Sequence, residues 1–361
     1  MLILSIQHVT NKMQLAKNIY SADGNTLLAA GTRLTDGFIA KLLHFGVSTV
    51  YISDKYTGKI EVDELVKTQT KNDATRITKE VMDHIRENKT WNGEEIQPVI
   101  ASIIEELLLN HDILYNLVEI RAMNDYHYAH NVAVCILSLM TGIALNYNYQ
   151  KLKHLGTGAL LHDIGKAKIS FKILNKNGSL TQEEYAEIKK HPQFGYDILK
   201  QCDSISEEAS YIAWQHHEKF DGTGYPMGLK GTDIYESARI VALADVYDAM
   251  STDRVYRKRF LSQEVIEYIR DQGETQFDPE LSKVFLENIA PFPIGSMVLL
   301  NTGEKGIVIN VPRDFPARPV IKIIFDHAGL YFKKSVEKDL KKDLTLFITK
   351  ALKDDEIDAI G

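Results

Sequence analysis

The chain has 361 residues, 44% of them hydrophobic and 25% charged, ordinary globular proportions that allow about two or three domains and a sizeable core. Lys and Arg total 42 against 49 Asp and Glu, a net charge of −7, which argues against a protein that coats DNA or RNA by bulk electrostatics. A small anionic substrate stays compatible, because a bound metal reverses the local field.

MLILSIQHVT lacks a basic start and a small-residue cleavage site, so no signal peptide is expected. Residues 1–65 read as a small α/β unit. LAKNIY and TLLAA suggest two short strands about the turn Ser21-Ala22-Asp23-Gly24-Asn25. Thr35 suits the cap of a helix running through Phe45 and ended by Gly46, and STVYIS is a β-branched strand. Residues 66–110 read as a helical linker, charged and sparsely apolar to about residue 93, with a break at WNGEE, Trp91 to Glu95. From there to about Pro291 the pattern is helical, and 111–291 is expected to form one all-helical domain. Its longest charge-free apolar stretch, Val132 to Leu145, falls short of the roughly 18 residues of a membrane span and reads as a buried core helix. Residues 292–361 change character. SMVLL, the turn Asn301 to Gly306, IVINV, a proline-rich loop and VIKIIF give strand, hairpin, strand, loop, strand, a small β-rich module. Cys135 and Cys202 are the only cysteines, so no disulfide framework is expected and a reducing, cytoplasmic compartment is the better reading.

The histidines are unevenly spread. Eight of the twelve lie between His111 and His217. Around them stand Tyr128-Ala129-His130-Asn131, His162-Asp163-Ile164-Gly165-Lys166, His191-Pro192, His216-His217-Glu218 and Asp245 within ALADVYDAM. One histidine alone is usually a surface or satisfied core residue. Several in one helical domain, two of them adjacent and one beside an aspartate, are costly to bury without partners and point to converging ligands. Imidazoles with carboxylates suit iron, manganese or zinc, and these residues exceed the four ligands of a structural zinc. They fit two metals about 3.5–4 Å apart that share a carboxylate and a water, with Asp163 the natural bridge. Such a pair gives hydroxide near neutral pH, set for in-line attack on a phosphate ester.

These motifs resemble the HD-GYP family of metal-dependent phosphohydrolases over about residues 112–290. HDIGK (His162 to Lys166), His191-Pro192 with Gly195, HHEKFDGTGYP (His216 to Pro226), ARIVALADVYDAMSTDRVYRK (Ala238 to Lys258) and FDPEL (Phe277 to Leu281) stand in family order. The first sixty residues resemble the small domain often fused ahead of it. The resemblance implies a multidomain, mainly α protein whose central HD-type bundle holds a binuclear centre of iron or manganese. It also implies hydrolysis of cyclic di-GMP to pGpG or GMP by a metal-bridging hydroxide. By the same resemblance, His130, His162, Asp163 and Asp245 hold one metal, while Asp163, His191, His216 and His217 hold the other. Lys166 matches a lysine near a substrate phosphate, and Gly224, Tyr225 and Pro226 match the signature tripeptide. Asp221, Asp248, Arg254 and Arg257 lie where the family places further site residues. Some members carry a glutamate four residues before the first histidine and bind a third metal. Here that residue is Tyr126, so two metals are expected.

On their own chemistry, Lys166 lies four residues after His162, where a helix would put both on one face and a cation would neutralise a phosphate oxygen. Tyr225, in a turn-rich loop, suits stacking on guanine or a phosphate hydrogen bond. Arg254 and Arg257, three apart, suit phosphate or the Hoogsteen edge of guanine, and a solvated charged face equally. Metal-bound water, Lys166 and Tyr225 are all open as the general acid. A related cyclic dinucleotide, the mixed cyclic GMP–AMP, is a second candidate substrate. A third reading is a weakly catalytic cyclic di-GMP sensor acting through a signalling partner protein. The N-terminal unit is open between sensor, homodimer surface and scaffold, and the β module reads as an interaction or packing element.

Overall fold

The computed structural model describes residues 1–20, 26–45, 47, 49–53, 64–110, 114–115, 126–174, 176, 178–252, 259–354 and 356, with residues 126, 127 and 333–335 described by backbone alone. The N-terminal part contains β1 (Leu2–Ser5), β2 (Gln14–Leu15), β3 (Ile19–Tyr20), β4 (Thr26–Leu28), α1 (Asp36–His44) and β5 (Thr49–Ser53). β1 and β2 both pair antiparallel with β5, while β3 and β4 make a separate hairpin. LAKNIY therefore divides between two sheets, and MLILS, read above only for a leader, supplies an edge strand. Thr35 caps α1 through a hydrogen bond from the Phe38 N–H. The expected turn at 21–25 and the helix stop at Gly46 lie outside the described residues.

The central part is helical: α2 (Thr68–Arg86), α3 (Gln97–Leu109), α4 (Tyr126–Ala144), α5 (Tyr149–Leu160), α6 (Phe171–Leu174), α7 (Gln182–Ile188), α8 (His191–Lys200), α9 (Glu207–Gln215), α10 (Glu236–Ser251), α11 (Ser262–Asp271) and α12 (Pro279–Glu287). Side-chain caps fix several starts: Asn148 for α5, Thr181 and Glu184 in a capping box for α7, Ser206 for α9 and Asp278 for α12. The stretch Val132 to Met140 is buried on every face, which places α4 at the centre, against α2, α5 and α10. No described helix is long and apolar enough to cross a membrane. α2, read from its charges as a linker, packs into the bundle through Ala74, Val81, Met82 and Ile85.

The C-terminal sheet has five antiparallel strands, β6 (Met297–Leu300), β7 (Lys305–Asn310), β8 (Val320–Phe325), β9 (Tyr331–Asp339) and β10 (Ile348–Ala351), in the order β10-β6-β7-β8-β9. The sequence shows only the first three plainly. β9 carries its charges in two blocks with few apolar residues, and β10 spans four residues, so neither presents a strong period. The N-terminal part and this sheet share one core: Leu4, Ile6, Leu15, Val50 and Ile52 pack with Met297, Ile307, Ile324 and Leu352. The Ile3 N–H donates to the Gly295 carbonyl and the Ser5 N–H to the Asp354 carboxylate.

Candidate metal centre

Five segments deliver side chains to one buried place in the bundle. α4 brings His130, the turn after α5 brings His162 and Asp163, the first residue of α8 is His191, His216 and His217 follow α9, and α10 carries Asp245 and Asp248. Two clusters result. Asp163, His191, His216 and His217 each offer an atom within 4.8 Å of the others, and so do His130, His162 and Asp245. Asp163 lies between them: Oδ1 is 3.3 Å from His191 Nε2 and 3.8 Å from His216 Nε2, while Oδ2 is 3.5 Å from His162 Nε2. Asp245 lies 3.0 Å from His130 Nε2 and 4.0 Å from His217 Nδ1.

The outer nitrogens decide what the inner ones can do. His162 Nδ1 donates to the Ala159 carbonyl at 2.8 Å, His191 Nδ1 to Ile188 at 2.8 Å and His216 Nδ1 to Ala213 at 3.0 Å. A carbonyl only accepts, so each Nδ1 holds the proton and each Nε2 of a neutral ring presents a lone pair. His191 Nε2 and His216 Nε2 then face each other at 3.3 Å as two acceptors. His162 Nε2 is buried without a hydrogen-bond partner. Facing lone pairs beside a carboxylate call for a positive centre between them, so the residues fit divalent metal ions.

Charge follows from the same geometry. Burial, reinforced by the neighbouring His217, holds His216 well below the usual histidine range, and burial beside His191 brings His217 down to about 3. Burial also lowers His162. For Asp163 burial works the other way, but Lys166 and His162 outweigh it and keep the carboxylate ionised; His130 does the same for Asp245. His130 is the exception: burial opposes its charge, yet Asp245 and Asp248 raise it to about 9.

Residues 112–281 match the family model described as HD domain, and residues 297–360 match a KOW domain associated with HD domain. The first match covers the HDIGK, HP, HHE and ADVYDAM segments just located in space. The helical region carries the HD domain pattern. The chain is 34% identical over 238 residues to a protein named cyclic di-GMP phosphodiesterase from Pseudomonas aeruginosa, covering 64% of this chain and 57% of the relative. It is 31% identical over 239 residues to cyclic di-GMP phosphodiesterase PdeB from Borreliella burgdorferi, covering 65% and 62%. It is 40% identical over 129 residues to a 3′3′-cGAMP-specific phosphodiesterase from Vibrio cholerae, covering 36% and 25%. The chain thus spans only part of the length of these relatives.

Within this helical region three residues are placed differently from the sequence expectation. His162 and Lys166 do not share an α-helical face, because α5 ends at Leu160 and residues 164–168 form a 3-10 turn. Its three-residue repeat sets Lys166 over Asp163 instead, and the ammonium hydrogen-bonds Asp163 Oδ2. Asp248, expected against substrate, has no exposed surface; it sits behind His130 and accepts from Nδ1 at 2.6 Å. Asp221 turns its carboxylate to the Thr223 N–H and hydroxyl, so it shapes its own loop. Tyr225 stacks on His217 with ring centroids 4.8 Å apart, and burial pushes its hydroxyl far above the usual phenol range. A side chain at Gly224 would meet the Lys219 nitrogen at 2.2 Å, so glycine is there for close backbone approach. Arg254 and Arg257 lie outside the described residues, as does the side chain of Tyr126.

Two supporting residues escaped the sequence reading. Asn131, quoted beside His130 without a role, donates to the Leu160 carbonyl at 3.1 Å and ties the end of α5, just before the HDIGK turn, to α4. Glu218, the residue after the histidine pair, is buried and accepts from the backbone N–H groups of Met227, Gly228 and Leu229. An acid placed directly before a glycine-rich loop is the signal that was there to read.

Proposed function

We propose that the protein is a metal-dependent phosphodiesterase that opens cyclic di-GMP to pGpG, and onward to GMP, with two divalent ions, iron or manganese, between the groups that flank Asp163. The observation that carries this reading is the set of buried Nε2 lone pairs, each fixed by an outer hydrogen bond and turned toward one ionised carboxylate. Ions bound there supply an activated water and neutralise phosphate charge for in-line displacement.

The chain's own residues do the rest. Asp163 reaches both clusters, and His162, His191 and His216 are locked in the tautomer that leaves Nε2 free to ligate. Lys166 is anchored at the same carboxylate, where its charge reaches a phosphate oxygen. Tyr225 stays protonated at neutral pH, so its hydroxyl serves as a donor and not as a base. Glu218 holds the loop that carries Gly224, Tyr225 and Pro226.

The direct test is protein reconstituted anaerobically with Fe(II) or Mn(II), incubated with cyclic di-GMP and in parallel with 3′3′-cGAMP, the products separated by chromatography. The expected result is pGpG or GMP, with higher kcat/KM for cyclic di-GMP. The name of the Vibrio cholerae relative supports the mixed dinucleotide as the second reading, and a reversed preference would establish it. Tight binding without turnover under several metals would favour a sensor that acts through a protein partner. Elemental analysis should return two ions per chain. Asp163→Ala should lose bound metal and turnover together, and turnover retained in that variant would discredit the mechanism.

A further inference from the structure

Lys189 has no part in the roles above. It occupies the two-residue joint between α7 and α8, two positions before His191. Its ammonium lies 4.9 Å from the centre of the Tyr185 ring, four residues earlier, and 5.0 Å from that of Tyr225, which is itself stacked on His217. Lys166, Lys176 and Lys190 are paired with Asp163, Glu184 and Glu187. Lys189 makes no ion pair among the described residues; two ring faces hold it instead. Such a setting attracts the cation while leaving its N–H donors for another acceptor. Lys166 therefore sits at the Asp163 carboxylate, while Lys189 sits beyond the His217–Tyr225 stack.

A cyclic dinucleotide carries two phosphodiesters, and only one can be at the reacting position. The other keeps its negative charge and needs a counter-charge at the mouth of a site already lined by aspartates. We propose that Lys189, held between Tyr185 and Tyr225, binds the non-reacting phosphate of a cyclic dinucleotide and so selects two-phosphate rings over single diesters. This rests on the reading of the site given above. The half-exposed Tyr185 ring beside it offers a face for an adjoining base.

The test compares wild type, Lys189→Met and Lys189→Arg, all metal-loaded, on cyclic di-GMP and on the single diester bis(p-nitrophenyl) phosphate. Loss of a charge-assisted hydrogen bond should raise KM for cyclic di-GMP about tenfold in the Met variant. The expected companions are kcat and metal content close to wild type, an unchanged KM for the single diester, and recovery of most of the loss with Arg. An unchanged KM for cyclic di-GMP, or an equal rise for both substrates, overturns the assignment. So does loss of metal from the Met variant, which would make the lysine a support for His191. Equilibrium titration with cyclic di-GMP gives the same comparison without turnover. A wild type that binds but does not hydrolyse it sinks the proposed reaction alone, and the Kd ratio of wild type to Met variant then decides Lys189. A wild type that does not bind it at all overturns both.

Discussion

At the scale of single residues, Asp248 and Asp245 stand three apart on α10 and both reach His130, one on each ring nitrogen. That spacing puts them on one helix face, which the sequence shows; it does not show which of the two lies in front of the imidazole. Depth in the bundle settles it, because Asp248 is fully buried while Asp245 keeps some exposure. Asp248 therefore lies behind the imidazole, hydrogen-bonded to its Nδ1 and without exposed surface. Asp248→Ala should leave the fold intact yet weaken metal affinity about 10- to 100-fold, the usual cost of removing a ligand's outer partner, and titration with Mn(II) followed by a chelator indicator would measure it. The candidate ligands were legible because the histidines number only twelve and their pairings, with one another and with an aspartate, are unusual. The tautomers were not, since they depend on backbone carbonyls that only the folded turns bring close.

At the scale of elements, the HDIGK segment owes its shape to a glycine. A Cβ at Gly165 would lie 1.9 Å from the His191 carbonyl oxygen, so the 3-10 turn and the start of α8 touch backbone to backbone. Gly165→Ala must push α8 away. We expect a stability loss of at least about 1–3 kcal/mol, seen as a lower Tm, and a drop in bound metal, because His191 moves with the helix. Glu218 does the corresponding work for the next loop. In Glu218→Ala three backbone N–H groups lose their acceptor, at a cost of about 1.5–3 kcal/mol. KM should rise while metal content holds, a split that steady-state kinetics with elemental analysis would show. The buried run of α4 and the Thr35 cap of α1 were readable from apolar pattern and capping chemistry. The 3-10 turn was not, because a short segment gives no period to distinguish three residues per turn from 3.6. α2 reads as a linking helix because its solvent face carries the charges that dominate a count, while a narrow stripe of Ala74, Val81 and Ile85 packs into the bundle.

For the whole molecule, metal bound as proposed would couple binding to folding, since the candidate ligands on α4, after α5, at the start of α8, after α9 and on α10 meet only in the native bundle. Ions that bind the native state alone stabilise it by about 2.7 kcal/mol at a free concentration a hundred times Kd. Removing metal with EDTA should therefore lower Tm, and returning Mn(II) should restore it; calorimetry on the two forms that gave identical Tm values would contradict a site held together by ions. The core shared by the first strands and the last sheet was invisible in the sequence, because both sides carry ordinary apolar strands with nothing to mark them as partners. Ser5 and Asp354, joined by a hydrogen bond, are 349 positions apart. During synthesis Leu4 and Ile6 must wait for Ile307, Ile324 and Leu352 to leave the ribosome before their apolar surface is covered. The helical bundle is encoded between them, so the two sides of this core are joined only once the whole of it has been made.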